Sequence, residues 1–335
     1  MIVSNMNNKK INWLLILQGW AMLWVVIGHS FLGEPDKGPE WENLLFRFAY
    51  SFHMPLFMMV SGWLFYLTRL QKYSQNGQGQ WTYAQIIKDK ALRLLLPGFV
   101  FSIIAYGLKI AFPGEMTRPI GLNLHDVVHA YLFPNDNPLR ELWFIATLFW
   151  FFLFTPLWSY VLNKMWAMWG MFVILVVLYF LPSFTEVLCI DRVVNYAVWF
   201  YAGLVISKEG YVESVINKPF MLLAVGLCIW LFGQYTIPFI VTVGCITFSF
   251  ALALMADMFA PNILASFRNY TYQIFLIGIF AQIIVKILYR HVDIPYVVAF
   301  MLCIFMGLYI PVLVSKCVER INWSPLCLCI GLKSK

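Results

Sequence analysis

Charged residues are scarce in this sequence. Asp, Glu, Lys and Arg together make up 12% of its 335 residues, whereas hydrophobic residues make up 61%. A typical soluble domain has about 25% charged and roughly 45–50% apolar residues. The chain has too little polar surface for a soluble protein, so its composition predicts an integral membrane protein.

Two other patterns are missing from the sequence. The net charge is +7, but the basic residues lie between apolar runs and form no patch or stripe, which argues against nucleic acid as a partner. The seven cysteines lack metal-ligand spacing, because their one close pair, Cys327 and Cys329, is separated by a single residue. We therefore expect neither a disulfide framework nor a metal site.

Long apolar runs follow one another along the chain. About 20 apolar residues are needed to span a membrane. Runs of this length without a charged residue occupy residues 11–33, 48–68, 142–163, 165–185 and 294–315. Further spans are predicted at residues 94–112, 193–207, 269–289 and, as two crossings with a turn at 234–238, at 219–256. The sequence thus predicts an all-α polytopic membrane protein with about ten transmembrane helices.

The lysines and arginines indicate the orientation of these spans. Ten crossings place both termini on one side of the membrane. If that side is the cytoplasm, fifteen of the 23 Lys and Arg residues lie in cytoplasmic segments, which is the usual asymmetry. We expect cytoplasmic termini and a single transmembrane domain over residues 1–335, with no appended soluble domain.

Two histidines lie well inside predicted spans. An ionisable residue in a span is costly and is therefore a functional candidate. The first helix runs outward and the second returns, so His29 and His53 both fall in the outer half of the membrane and are expected to face one cavity. A neutral imidazole there suits a general base. The alternative is that each ring donates a hydrogen bond to a neighbouring helix, or lies at the headgroup level.

Other polar residues accompany the histidines. Gln18 precedes His29 by eleven residues, about 16 Å along nearly the same helix face. Lys90 and Arg93, in a loop before the third span, face the same way on a helical turn and are suited to phosphate, or to anionic lipid. Glu141 precedes the fourth span and would orient a cavity histidine, or would lie as a carboxylate among the headgroups.

His125 and His129 lie four residues apart in a predicted external loop. Together they would form half of a metal site, but no third ligand follows from the spacing. An amphipathic helix at the interface explains the same pattern. We therefore expect no metal here.

Several segments, in order, resemble the acyltransferase-3 family of membrane acyltransferases, particularly its sugar O-acetylases. They are residues 17–29, 52–57 with Ser61-Gly62, 90–97, 142–144, 200–204 and 270–276. The resemblance covers nearly the whole chain, and the first two segments are the most specific.

The resemblance implies a ten-helix enzyme of a bacterial inner membrane. It would move an acetyl group from cytoplasmic acetyl-CoA to a hydroxyl of a cell-surface or lipid-linked glycan. His29 would be the general base, with His53 and Glu141 as the other catalytic residues. The donor-binding residues would be Gln18, Lys88, Lys90 and Arg93, and the substrate-binding residues would be Trp143 and Ser61.

Two positions depart from the family pattern. The first motif normally has an arginine where this chain has Gln18, and many relatives have a histidine where this chain has Gly278. Two alternatives therefore stay open at this point. One is a transporter or exporter of a lipid-linked or small polar solute with a histidine proton relay, and the other is a catalytically silent relative that only binds.

Overall fold

The computed structural model describes residues 12–32, 40–74, 81–112, 123–182, 184–211 and 215–332. Helices account for nearly all regular structure in these ranges, and no β-strand occurs in them. The chain divides into two compact units. The first contains Met1–Val60 and Glu209–Lys316, and the second contains Ser61–Lys208 and Cys317–Lys335.

Fifteen α-helices are numbered here in chain order over the described residues. They are α1 Asn12–His29, α2 Glu40–Phe65, α3 Gln71–Ser74, α4 Tyr83–Lys90, α5 Leu96–Ala111, α6 Leu124–Leu132, α7 Trp143–Leu153, α8 Thr155–Leu162, α9 Met165–Tyr179, α10 Ile190–Glu209, α11 Pro219–Gly233, α12 Pro238–Phe259, α13 Thr271–His291, α14 Tyr296–Ile321 and α15 Ser324–Cys329. Two five-residue π-helical segments, Tyr66–Leu70 and Ala91–Leu95, continue α2 and α4.

The first unit is built around α1. This helix packs against α12 and α13, and its buried face contributes Met22, Val25 and Val26 to an apolar core with Ile274 and Leu308. The Trp20 indole donates to the Ser249 hydroxyl at 3.2 Å, which adds a polar contact between α1 and α12. These buried apolar contacts hold α1 in place within its unit.

Helices α11 and α12 form a close antiparallel pair in the first unit. A Cβ on Gly226 would lie 2.6 Å from the backbone nitrogen of Phe248, and a Cβ on Gly233 would lie 2.8 Å from that of Val241. These glycines let the two backbones touch, as small residues do in membrane helix pairs. The turn predicted at residues 234–238 is confirmed, because α11 ends at Gly233 and α12 begins at Pro238.

The second unit centres on aromatic packing. The Phe151 and Phe200 rings stack with centroids 4.8 Å apart, and the buried Tyr201 hydroxyl donates to the Met168 carbonyl at 3.1 Å. A Cβ on Gly62 would overlap the Phe200 carbonyl oxygen. Gly62 thus lets α2 and α10 approach closely.

Seven helical stretches are long and apolar enough to cross a membrane, judged by length and composition. They are Asn12–His29, Glu40–Tyr73, Tyr83–Ala111, Val187–Glu209, Pro238–Phe259, Arg268–His291 and Tyr296–Ile321. A bent pair, Arg140–Leu153 and Thr155–Leu162, brings the number to eight if it is one span. Met165–Tyr179 and Pro219–Gly233 are apolar but shorter. The integral membrane class is confirmed, and ten crossings remain a prediction.

The predicted fourth span, residues 142–163, is not one straight helix. It bends by 54° between α7 and α8. Pro156 lies in the first turn of α8, where its ring cannot donate a backbone hydrogen bond and clashes with a continuing helix. The prediction of a single span rested on the number of apolar residues, which does not reflect the effect of this proline.

The predicted loop before the third span is also corrected. Residues 83–111 form one continuous helical stretch. Thr82 begins it with a capping box, in which its hydroxyl accepts from the Gln85 backbone while the Gln85 side chain accepts from the Thr82 backbone. Lys88, Lys90 and Arg93 therefore lie on a helix that leads directly into the apolar span.

Candidate active site

His29 is the last residue of α1 and lines a partly open cavity of about 210 Å³. The described residues of its lining belong to the first unit and are Gly28, His29, Phe31, Glu42, Asn43, Phe46, Tyr50 and Lys286. We call this space the His29 cavity. It combines aromatic walls with a few polar groups, which is the usual composition of a small-molecule site.

Contacts from α13 hold the end of α1 in place. The buried Gln282 amide donates to the Val26 carbonyl and to the Ser30 hydroxyl, each at 2.9 Å. The Ser30 hydroxyl in turn donates to the Val26 carbonyl at 2.7 Å. These bonds lie on both sides of His29 in the sequence, so they fix the backbone from which the imidazole projects.

His53 is almost completely buried, with 2% of its surface exposed. Its Nδ1 lies 2.5 Å from the Ala49 carbonyl oxygen. Because a carbonyl can only accept, Nδ1 carries the hydrogen and Nε2 is left as the acceptor. The backbone thus selects the tautomer.

Tyr50 connects the two histidines. Its ring packs edge-to-face on His53 with centroids 4.9 Å apart, and its hydroxyl donates to the Gly28 carbonyl at 3.3 Å. Tyr50 also lines the His29 cavity, and the two imidazoles are close enough to interact electrostatically. The structure therefore brings His29 and His53 together around one tyrosine.

Glu42 and Lys286 are charged residues of the cavity that the sequence reasoning missed as site residues. Glu42 is 4% exposed, and its Oε2 has no hydrogen-bond partner among the described residues. Lys286 lies within the predicted span 269–289, and Glu42 precedes the uncharged run 48–68 that defined the second span. Helix α2 begins at Glu40, before that run, and apolar length alone does not indicate this earlier start.

Gln18 lies on α1 in the same unit. Its amide donates to the Thr271 hydroxyl at 2.9 Å, near the start of α13. The side chain therefore links two helices, and a role toward an acyl donor remains a prediction.

A second group of charges lies in the second unit. Asp89 accepts from Arg69 at 3.0 Å and from Arg93 at 2.8 Å. Lys90 lies over the rings of Phe152 and Phe65, 4.3 and 5.5 Å from their centroids. We call Arg69, Asp89, Lys90 and Arg93 the basic cluster. Lys90 and Arg93 both belong to this cluster, but Lys90 contacts aromatic rings whereas Arg93 contacts Asp89. Lys88 is exposed.

Arg69 was missed by the sequence reasoning. It is 6% exposed, and its guanidinium lies 3.9 Å from the centre of the Trp81 ring. Arg69 and Arg93 each lie in one of the two π-helical segments. Such segments often occur at functional sites, but residue spacing in the sequence gives no direct signal for them.

The other predicted site residues belong to the second unit. Trp143 stacks on Tyr196 with centroids 5.2 Å apart, and the Arg192 guanidinium lies 5.2 Å from the Trp143 ring centre. Glu141 is half-buried in a 3₁₀ turn before α7, and Ser61 is half-buried on α2. Substrate contacts of Ser61 and Trp143, and the orienting role of Glu141, remain predictions.

No metal centre is formed by the residues that the structure describes. None of their His, Cys, Asp and Glu side chains gather in groups of three or more. His125 and His129 each pair with an aspartate instead, His125 with Asp126 at 3.4 Å and His129 with Asp136 at 3.5 Å.

Comparison with known proteins identifies the family. A family model described as an acyltransferase domain matches residues 11–316. Nodulation protein NolL of Mesorhizobium japonicum (strain LMG 29417 / CECT 9101 / MAFF 303099) is 31% identical over 121 residues, which are 35% of this chain and 30% of NolL. The match thus spans about a third of each protein. No solved structure matches. Since the family match covers most of the sequence, the chain belongs to the acyltransferase-3 family.

Proposed function

We propose that this protein transfers an acetyl group from cytoplasmic acetyl-CoA to a hydroxyl of a cell-surface or lipid-linked glycan. The observation that carries the proposal is the His29 cavity, which joins an imidazole to polar and aromatic side chains. The family match supports acyl transfer as the reaction class. NolL supports the family and adds no substrate, because its name refers only to nodulation.

His29 acts as the general base in this proposal. The acceptor hydroxyl oxygen attacks the thioester carbonyl carbon, so a carbon–oxygen bond forms and the carbon–sulfur bond breaks. His29 takes the hydroxyl proton during the attack, and the proton then goes to the departing thiolate to give free coenzyme A. Positioned proton transfer of this kind contributes about 10²–10⁴-fold to a rate.

His53 supports the same step. Its Nδ1 hydrogen is engaged by the Ala49 carbonyl, which leaves Nε2 to accept a proton or a hydrogen bond. Tyr50, which contacts the His53 ring and lines the cavity, keeps the two histidines in a fixed relationship.

The basic cluster is proposed to bind the phosphates of acetyl-CoA. It contains three cations and one carboxylate, so positive charge remains after Asp89 is neutralised. Arginine offers a bidentate fork to phosphate, and lysine offers a point charge. Lys88 lies exposed beside the cluster and adds to its positive charge.

The membrane arrangement belongs to the proposal as well. Ten crossings with cytoplasmic termini would place the basic cluster on the cytoplasmic side, in the inner membrane of a bacterium, with membrane lipid around the helices. Reporter tags at residues 1 and 335 should then be accessible to a label added outside the cell only after the membrane is permeabilised. Labelling of either tag in intact cells would overturn the orientation.

Acetyl transfer in isolated membranes tests the activity. Membranes with and without the protein receive acetyl-CoA labelled in the acetyl group, together with the glycan of the cells that carry the protein. We expect alkali-labile label in the glycan and an equal amount of free coenzyme A, both dependent on the protein. Coupled solute movement without labelled glycan would overturn the proposal in favour of transport.

A further inference from the structure

The His29 cavity contains a buried carboxylate, that of Glu42. We propose that Glu42 binds hydroxyl groups of the acceptor and that the acceptor ring in this cavity is a neutral sugar. This inference rests on the proposed acetyl transfer, and it adds a residue and a substrate class to that function.

Burial of the Glu42 carboxylate is costly unless its oxygens accept hydrogen bonds. Glu42 is buried in its unit, yet its Oε2 has no hydrogen-bond partner among the described residues. A buried polar atom without a partner is destabilising, and native proteins keep few of them. An oxygen of this kind in the wall of a cavity is explained if a ligand supplies the missing donor.

The surroundings of Glu42 favour a carboxylate at this position. Glu42 lies in the first turn of α2, where the positive end of the helix dipole favours a negative charge. Lys286 lines the same cavity and supplies a positive charge, and the Tyr296 hydroxyl is close enough to interact with the Glu42 side chain. The site thus accommodates the charge without using both carboxylate oxygens.

The remaining lining of the cavity combines hydrogen-bonding groups with aromatic rings. An ionised carboxylate only accepts hydrogen bonds, so it selects donors such as hydroxyl groups. The neighbouring Asn43 amide both donates and accepts. The Phe46 and Tyr50 rings stack with centroids 4.1 Å apart and give the cavity an apolar wall. A ring with hydroxyls at its edge and carbon–hydrogen bonds on its face fits this combination, and that is a sugar.

Charge decides between a neutral and an acidic sugar. The acidic and basic side chains in the described lining are Glu42 and Lys286, one of each sign, beside an imidazole. No surplus positive charge remains there for a sugar carboxylate, and Glu42 would repel it. A neutral ring meets neither problem.

Kinetics of Glu42 variants test the assignment. Membranes with wild type, Glu42→Gln or Glu42→Asp receive labelled acetyl-CoA and increasing amounts of glycan extracted from the cells that carry the protein. We expect Glu42→Gln to raise the KM for glycan about 10-fold or more, since a hydrogen bond to a charged group is lost. The KM for acetyl-CoA should stay the same, and Glu42→Asp should recover part of the loss.

Glu40→Gln is the matched control. Glu40 lies two residues earlier in the same helical turn and is exposed, so this variant removes the same charge without touching the cavity. An unchanged glycan KM in Glu42→Gln would overturn the role of Glu42. So would equal increases in both KM values in Glu42→Gln, because a general structural defect would cause them.

The sugar class is tested on the wild type alone, so it does not depend on whether a variant folds. Mass spectrometry of the labelled glycan should place the acetyl group on a neutral sugar. Acetyl on a uronic or sialic acid would overturn the neutral class. Absence of any labelled glycan with wild type would instead overturn the acetyl transfer and the inference with it, and the wild-type arm separates that result from a failure of Glu42.

Discussion

The His29 cavity and the basic cluster differ in how their charged side chains are paired. The cavity holds one carboxylate and one ammonium in an aromatic lining, and one carboxylate oxygen has no hydrogen-bond partner in the described part of the chain. In the basic cluster, Asp89 uses one oxygen for Arg69 and the other for Arg93. The first arrangement suits an uncharged ligand with hydroxyl groups, whereas the second leaves excess positive charge for an anion.

The largest effect is expected from His29→Ala. Loss of the base should lower the rate of acetyl transfer about 10²–10⁴-fold and leave acetyl-CoA binding unchanged. Labelled transfer and equilibrium binding of acetyl-CoA in the same membranes measure the two quantities. His125→Ala is the control, because that side chain is 87% exposed. A wild-type transfer rate in purified His29→Ala protein would show that His29 is not the general base.

Replacing Lys90 and Arg93 together with Gln should act on the other half of the comparison. Loss of two cations is expected to raise the KM for acetyl-CoA about 10-fold or more, with little change in the KM for glycan. Asp89 keeps its bond to buried Arg69, so the fold should survive. Lys164→Gln serves as the control, since Lys164 is exposed. Equal donor affinity before and after would return both residues to a topological role.

Gln282→Met tests the support of the cavity. The change keeps the side-chain volume and removes the bonds to Val26 and Ser30. Since two neutral hydrogen bonds are lost, we expect transfer to fall roughly 10-fold, with acetyl-CoA binding unaffected. Thr247→Val is the comparison, because the Thr247 hydroxyl donates to the Val243 carbonyl within its own helix α12. Full activity in Gln282→Met would show that His29 needs no anchor from α13.

Gln18→Leu is expected to have the smallest effect. If Gln18 contacts the donor, the KM for acetyl-CoA should rise about threefold, the worth of one neutral hydrogen bond. Thr271→Val removes the partner seen in the structure and should leave that KM unchanged. The same shift in both variants would assign Gln18 to the contact between α1 and α13 alone.

Much of the helical framework follows from the sequence because membrane spans are set by apolar length. Each predicted span contains a helix, and the stretches Tyr83–Ala111 and Arg268–His291, which include lysine and arginine, are longer than Asn12–His29, which includes neither. The breaks were less predictable. Pro156 interrupts one apolar run at the start of α8. In the next apolar run, α9 ends at Tyr179 after 15 residues. Hydropathy does not report these breaks, because backbone geometry decides where a helix ends.

The site was predictable where a polar residue interrupts an apolar run. His29 and His53 were found in this way, and the structure brings both to Tyr50. Glu42 and Arg69 were missed because each lies at the edge of a run, where a charged residue is usually solvated. Their burial depends on helices distant in the sequence, such as α13 for the cavity, and one sequence does not specify that packing.

The two π-helical segments make the basic cluster sensitive to chain length. A π-turn corresponds to an α-helix that carries one additional residue, and each residue of an α-helix turns the chain by about 100°. Loss of one residue from Tyr66–Leu70 or Ala91–Leu95 would restore a regular helix and rotate everything beyond it by that angle. A residue lost before Arg69 or Arg93 within its segment would turn that side chain about the helix relative to Asp89, so the register of these two segments shapes the basic cluster as much as its side chains do.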